Sequence, residues 1–539
     1  MTRPGRRCLN PESMRKLLIL AAALLSAACA EAPQPEINVI PRPLSVEQGD
    51  GAFRLGRSCP IGYDDPALQS VAALCAGYLT EEGERKPVVA DKPVHKGIDL
   101  QLDDTLAGEE YTLSATKKGV SICGGSPRAV LYGVQTLRQL IDGDRVPVVE
   151  IRDEPYFGYR GAMFDVARYF YPVEEVKRFI DIMALHKLNT FHWHLTDDQG
   201  WRIEIERYPE LTRIGSQRRE TLIGHYKTSD EYDGKPHGGY YTQDEIREVV
   251  AYAAERCIDI IPEIELPGHS MAALASYPWL GCTKGPYEVR TTWYYSSDVL
   301  CAGRETSFQF LGNVLTEVIG LFPSKYIHVG GDECPKVRWK ACPDCQRRMR
   351  REGLADEDAL QSYFVCRIEE WLHAHGREMI GWDELLEGGV TPSTIVMSWR
   401  GTEGGIEAAK LGNRVIMAPR FYFYLDYYQT SDPERNGEPL SIGRNVPIRK
   451  LYGYDPFDRL DEAQSRNILG VQANLWTEYI STMDHAEYML LPRLAAMSEV
   501  AWATERRDYD DFVRRLGSLR GLYDREGYRY ADFVFRGIE

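Results

Sequence analysis

The stretch "YIHVGGDE", Tyr326 to Glu333, is an apolar run that passes through two glycines into two adjacent carboxylates. A short apolar run bounded by small residues reads as a buried strand, and charge just past its end reads as chemistry delivered to one side of a sheet. The same pattern recurs along the chain. Runs of this type span Tyr159 to Ala167, Asn189 to Leu195, Ile258 to Leu266, Tyr326 to Gly331, Arg377 to Trp382, Thr394 to Trp399, Asn413 to Ala418 and Ile468 to Trp476. Between them lie segments with helical periodicity: Val173 to His186, Gln243 to Arg256, Ser307 to Leu321, Asp356 to His375 and Glu403 to Leu411. Eight alternations of strand and helix predict a closed parallel barrel. The expected fold class is therefore α/β, a (β/α)8 TIM-type barrel over residues 156–502.

Upstream the pattern differs. Residues 37–152 carry short strand-like runs such as "GIDLQL" and "EYTLSATKKGVSICGG", with one helix-like stretch from Ala129 to Ile141. This predicts a small α+β domain. "IRDEPYFGYRG", Ile151 to Gly161, reads as the boundary, and residues 503–539 read as a helical segment without a motif.

The chain has 539 residues, 43% hydrophobic and 27% charged, which is globular composition. A net charge of −16 argues against nucleic acid as a partner, because binding to phosphate needs clustered Lys and Arg. Arg15 and Lys16 precede "LLILAAALLSAAC", too short an apolar run to cross a bilayer but suited to a signal peptide. It resembles a lipoprotein signal over residues 1–29, with Cys29 the lipidated residue, although Ser26 stands where Leu is usual; ordinary secretion is the alternative. Residues 30–36 would then be a tether. The expected location is outside the cytoplasm, in a bacterial periplasm or on the outer membrane or cell surface, with membrane attachment only through the lipid anchor.

Twelve cysteines are too few for a disulfide scaffold. Cys282 and Cys301 flank an aromatic loop and are candidates for a bridge. Cys342-Pro-Asp-Cys345 has the spacing of half a zinc knuckle, but no matching pair follows it, so a structural turn or a disulfide is expected there rather than a metal.

The polar and aromatic residues gather at one end of the runs: "HLTDDQGW", "ELPGHS", "GDE", "WDE", "WRG" and "LWTE" each follow a different one. In a barrel this is the carboxyl end of the strands, where reactive groups sit. Adjacent residues leaving a strand point in different directions, so Asp332 and Glu333 do not both flank one bond as the paired carboxylates of most glycosidases do. A Glu beside an ionised Asp is suited to serve as a protonated general acid. Trp382, Trp399 and Trp476 close three different runs and suit an apolar box. His192 and His194 share a strand face, where they are either metal ligands with Asp197 or His269, or hydrogen-bonded core groups. His269, on a Pro-Gly turn, either supports a carboxylic acid or caps the turn.

Together "HWHLTDDQGWR", "PEIELPGH", "HVGGDECP", "GWDE", "MSWRG" and "LWTE", in this order, resemble glycoside hydrolase family 20, the β-N-acetylhexosaminidases. The resemblance covers about Tyr156 to Trp502, and the preceding segment looks like the small domain that accompanies the barrel. It implies an exo-acting retaining enzyme that removes terminal β-linked GlcNAc or GalNAc from glycans with no cofactor or metal, the substrate's acetamido oxygen attacking the anomeric carbon to form an oxazolinium ion. By the same resemblance, Glu333 is the acid and base and Asp332 holds the acetamido N–H. Tyr424 donates to the acetamido oxygen, and Trp382, Trp399 and Trp476 enclose the methyl and the sugar face. Arg160, Asp426 and Glu478 bind sugar hydroxyls, and Asp197 and His269 form a relay behind Glu333. Glu265 departs from the family, which more often has Asp before the "PGH" turn. Specificity beyond the terminal sugar falls to the loops Cys282 to Cys301 and Tyr427 to Tyr454. The alternatives are a surface lipoprotein that captures glycans without cleaving them, a relative that releases a disaccharide unit, and a metal-dependent hydrolase using His192, His194 and Asp197.

Overall fold

A computed structural model describes residues 36–81 and 85–537; the signal segment with Cys29, and all but the last residue of the tether, lie outside the described residues. The small domain is a seven-stranded sheet of β1 (Ser45–Arg54), β2 (Pro60–Tyr63), β3 (Val88–Ala90), β4 (Ile98–Leu102), β5 (Tyr111–Ala115), β6 (Val120–Gly124) and β7 (Arg145–Asp153), in the order β1-β7-β5-β6-β4-β2-β3. Helices α1 (Gln69–Glu81) and α2 (Pro127–Leu140) pack on it. Strand β5 shows the expected alternation, with Tyr111, Leu113 and Ala115 buried and the residues between them half-buried.

The second unit is a closed parallel barrel of β8 (Tyr159–Asp165), β9 (Thr190–His194), β10 (Asp259–Glu263), β11 (Tyr326–His328), β12 (Glu378–Trp382), β13 (Ile395–Ser398), β14 (Val415–Met417) and β15 (Ile468–Leu475). Each lies inside one of the eight runs. Strand β15 pairs with β8 through Gly470 opposite Tyr159 to Leu475 opposite Phe164, which closes the ring. All seven residues of β8 and all five of β9 are buried. That is why these strands read as continuous runs rather than alternating ones. Helices α3 (Val173–Leu185), α4 (Gln243–Glu255), α5 (Glu305–Leu321), α6 (Pro343–Glu352), α7 (Glu357–Ala374) and α8 (Glu403–Leu411) belong to the outer layer. Their ends obey local chemistry. Thr242 and Glu245 make a reciprocal capping box on α4, and Asp356 accepts from the Ala359 N–H at the start of α7.

After β15, α9 (Arg493–Trp502) sends Trp502 into the core of the small domain, and α10 (Tyr509–Glu526) closes the chain. The Trp502 indole donates to Asp153 at 2.9 Å. Lys187 reaches the same Asp153 at 3.2 Å, both side chains fully buried. Removing one partner of such a pair costs about 3–5 kcal/mol, so this seam holds the two units together.

The ten described cysteines are all free thiols. The expected Cys282–Cys301 bridge is not formed, and Cys342 and Cys345 are not joined to each other. Instead Cys282 and Cys301 meet Cys342 and Cys345 in one cluster, because the barrel brings the loop after β10 against the start of α6.

Candidate active site

The glycines of "HVGGDE" explain the local turn. Gly330 and Gly331 have φ of 66° and 97°, in the left-handed region that favours glycine. A Cβ on Gly330 would lie 1.8 Å from the Glu265 carboxylate, and one on Gly331 2.5 Å from Leu385. The chain can therefore leave β11 and turn at once across the barrel mouth. Glu333 itself takes φ 41° and His269 φ 45°, two non-glycine residues held in a strained region at the same place.

The two acids of the turn are placed differently. The Asp332 side chain is 11% exposed and that of Glu333 37%. Burial, and then the negative charges of Glu333 and Glu263, push the Asp332 carboxyl up to about 7 against the pull of His269. Its Oδ1 is buried with no hydrogen-bond partner. Nε2 of His269 lies between the pair, 3.7 Å from Asp332 and 3.5 Å from Glu333, and its Nδ1 is 3.0 Å from Asp197. Burial alone would lower the His269 pKa; the charges of Asp197 and Asp332 outweigh it and hold the imidazole well above its usual range. Burial likewise opposes ionisation of Asp197, but Arg168 at 2.8 Å and His269 keep it well below the ordinary carboxylate range. Arg168, Asp197, His269 and Glu333 thus form a line of ionisable groups that ends on the half-buried acid.

These acids line an open cavity of about 420 Å³ with Arg168, Trp399, Tyr424, Asp426, Trp476 and Glu478. Trp399 stacks on Tyr424 with ring centroids 6.1 Å apart and an interplanar angle of 14°, and Tyr424 lies 6.2 Å from Trp476. Trp382 is 1% exposed and sits beneath, 6.0 Å from Trp476, its indole donating to Glu263 at 3.0 Å. Tyr424 is held by a bridge to Asn474 of β15. Asp426 follows it, buried, with Oδ1 lacking a partner. Burial and the neighbouring Glu478 push the Asp426 carboxyl well up, and burial raises Glu478 to about 7.

One expectation is corrected. Arg160 is not at the mouth: it lies at the opening of β8, fully buried at the seam with the small domain. There its guanidinium bonds Glu109 at 3.0 Å and the Phe157 carbonyl at 2.7 Å and lies over the Trp502 ring. The arginine that β8 delivers to the cavity is Arg168, 4.9 Å over Trp476 and 3.0 Å from Asp165; Arg420 and Arg444 line it from elsewhere. It stands just past the carboxyl end of β8, where polar groups follow each run, so the run-end rule identifies it. His192 and His194 are core groups. His194 is bonded at one nitrogen to Glu263 and at the other to Asp197 at 2.9 Å, while His192 lies 3.0 Å from Glu263. His328 is 2.7 Å from the same Glu263. This carboxylate–imidazole cluster fills the barrel under the cavity. The two loops expected to set specificity both reach it, the first through Trp293, Tyr294 and Tyr295, the second through Tyr427, Ile442, Gly443 and Arg444. Neither loop has a periodic signal.

Two adjacent acids backed by a line of ionisable groups, beside aromatic rings at the mouth of a barrel, suit the chemistry of a glycoside hydrolase. The chain matches the family models "Glycosyl hydrolase family 20, catalytic domain" over residues 157–505 and "Glycosyl hydrolase family 20, domain 2" over residues 36–154. It is 44% identical over 534 residues to a beta-hexosaminidase of Porphyromonas gingivalis, covering 95% of this chain and 67% of that one. It is 35% identical to a beta-hexosaminidase of Akkermansia muciniphila, covering 80% and 88%. Among solved structures, the exo β-N-acetylglucosaminidase of Vibrio harveyi in complex with N-acetylglucosamine superposes with a TM-score of 0.82 at 33% identity over 93% of this chain and 80% of that one. The β-N-acetylhexosaminidase of Streptomyces coelicolor gives 0.80 at 32% identity over 93% and 98%. The chain belongs to glycosyl hydrolase family 20.

Proposed function

We propose that this β-N-acetylhexosaminidase is an exo-acting, retaining enzyme that removes terminal non-reducing β-linked GlcNAc or GalNAc by substrate-assisted catalysis. The observation that carries the reading is the division between the neighbouring acids: Asp332 is buried with an unpartnered oxygen, while Glu333 is only half-buried and lies 3.5 Å from His269. Glu333 gives its proton to the glycosidic oxygen as the bond to the anomeric carbon breaks. The acetamido oxygen of the same sugar forms the new bond to that carbon, and the positive charge spreads onto the amide nitrogen. Asp332 accepts the N–H and stabilises this charge. Glu333, now ionised, takes a proton from the water that opens the oxazolinium ion, and retention follows from two inversions. A positioned acid and base of this kind contributes about 10²–10⁴ in rate.

Tyr424 donates to the acetamido oxygen, and Trp399, Trp476 and Trp382 hold the methyl and the sugar face. Arg168, Asp426 and Glu478 take the sugar hydroxyls. The floor formed by Trp382, His192, Glu263 and His328 supports an exo mode, because a chain end is what a floored cavity accepts. The N-terminal signal pattern supports export and a lipid anchor.

The test is turnover of aryl β-N-acetylglucosaminides and galactosaminides, with aryl β-glucosides inert and the β-anomer seen first by NMR. In Glu333→Gln the loss should be greatest for poor leaving groups, whereas Asp332→Asn should lose activity on all. Equal leaving-group sensitivity in the two variants, or turnover of the glucoside, contradicts the proposal.

A further inference from the structure

We propose that Cys282, Cys301, Cys342 and Cys345 form a structural zinc site that anchors the aromatic wall of the active-site cavity. The four sulfurs come from two places: the ends of the Cys282 to Cys301 loop, and the Cys342-Pro-Asp-Cys345 turn that opens α6. All four lie within 4.8 Å of one another. The separations are 3.8 Å for Cys282–Cys345, 3.8 Å for Cys301–Cys342 and 3.7 Å for Cys301–Cys345. Zinc binds thiolate sulfur at about 2.3 Å in a tetrahedron, whose edge is then about 3.8 Å. Cys301 stands at that spacing from two partners at once, which fits one shared centre better than two separate bonds. Four protein ligands leave no open coordination position, so the role is structural.

The surroundings are those of an anionic centre. Cys301, Cys342 and Cys345 are buried and Cys282 half-buried. Arg304 supplies a positive charge and ties both halves together: it bonds Asp344 at 2.7 Å, the Gly281 carbonyl at 2.9 Å and the Cys282 carbonyl at 3.2 Å. Gly303 allows the backbones to touch, since a Cβ there would lie 2.2 Å from the Asp344 carbonyl carbon. Ser307 bonds the Cys301 carbonyl at 2.8 Å and Trp339 the Leu300 carbonyl at 2.9 Å. Such outer contacts orient metal ligands.

The consequence lies at the cavity. Trp293, Tyr294 and Tyr295, which line it, sit between Cys282 and Cys301 on a loop with little regular secondary structure. The other half of the site belongs to the segment that follows Asp332 and Glu333. One ion thus fixes the wall against the acids.

The full chain, purified without metal-affinity resin and dialysed against a weak chelator, should carry one zinc per molecule by elemental analysis, released by a mercurial in step with four thiols. The cobalt-substituted protein should show the thiolate charge-transfer and intense d–d bands of a tetrahedral tetrathiolate. Cys301→Ser and Cys345→Ser should lose the metal and become protease-sensitive between residues 283 and 300. Cys345→His should keep both metal and protection, and Cys366→Ser should change nothing. Four free thiols without stoichiometric zinc in the wild type, or two disulfides in non-reducing peptide maps, would overturn the proposal whether or not the variants fold. Either result leaves the catalytic reading untouched.

Discussion

In the proposed mechanism Asp332 meets a positive charge that exists only during the reaction, and the cost of keeping it ionised in the resting protein is measurable. An aspartate of the unfolded chain ionises near 3.8, while burial among other acids raises the folded carboxyl to about 7. The folded state therefore binds a proton in this window that the unfolded state has lost, so this residue's contribution to stability falls as pH rises from about 4 to 7. At about 1.36 kcal/mol per pH unit the full penalty is roughly 4 kcal/mol. Asp332→Asn keeps the shape and removes the charge. The unfolding entropy of about 2.1 cal/mol/K per residue makes each kcal/mol worth about 1 °C over a chain of this length. Differential scanning calorimetry of both proteins from pH 4 to pH 8 should show equal Tm at the acid end and a variant more stable by about 4 °C at the alkaline end, although it is the inactive one. A gap independent of pH, or a variant less stable at pH 8, would refute the argument that ionised Asp332 is paid for by the fold.

Other substitutions test the remaining geometry. Arg168→Ala should lower kcat/KM by about 10²-fold or more, because it removes a charge from the cavity wall and the guanidinium that lies 2.8 Å from Asp197. Arg160→Ala should leave kcat/KM near wild type while destabilising the domain seam by about 3–5 kcal/mol, read as a lower Tm. Glu265→Gln should retain activity: burial, Asp332 and Glu263 push its carboxyl well above the usual range, so an amide of the same shape removes a charge that the site disfavours. Loss of activity above pH 7 in that variant would assign Glu265 a charged role. Tyr424→Phe should cost about 10²–10³-fold in kcat on N-acetyl substrates, consistent with loss of one hydrogen bond to a developing charge.

Much of the fold was legible because barrel strands are buried on both faces and therefore write themselves as unbroken apolar runs. Each of the eight runs contains a strand, and the capped helices fall within a few residues of their periodic segments. The run-end rule also marked Asp332, Glu333, Trp399 and Trp476. The same rule points to Arg168, just past the run that holds β8, whereas Arg160, implied by the family resemblance, lies at the opposite end of β8 and faces the small domain.

What the sequence determined by itself is whatever depends on neighbours along the chain: strand and helix periods, the glycine turn of "HVGGDE" and the separation of two adjacent acids. What only the tertiary structure decided is whatever depends on distance through space between residues far apart in the chain. The relay from Arg168 to Glu333, the burial that drives Asp332 up to about 7, and the meeting of Cys282 and Cys301 with Cys342 and Cys345 all arise when the barrel closes. A cysteine pair that found no partner at matching spacing found one across a loop, because closure brings groups together by geometry and not by interval.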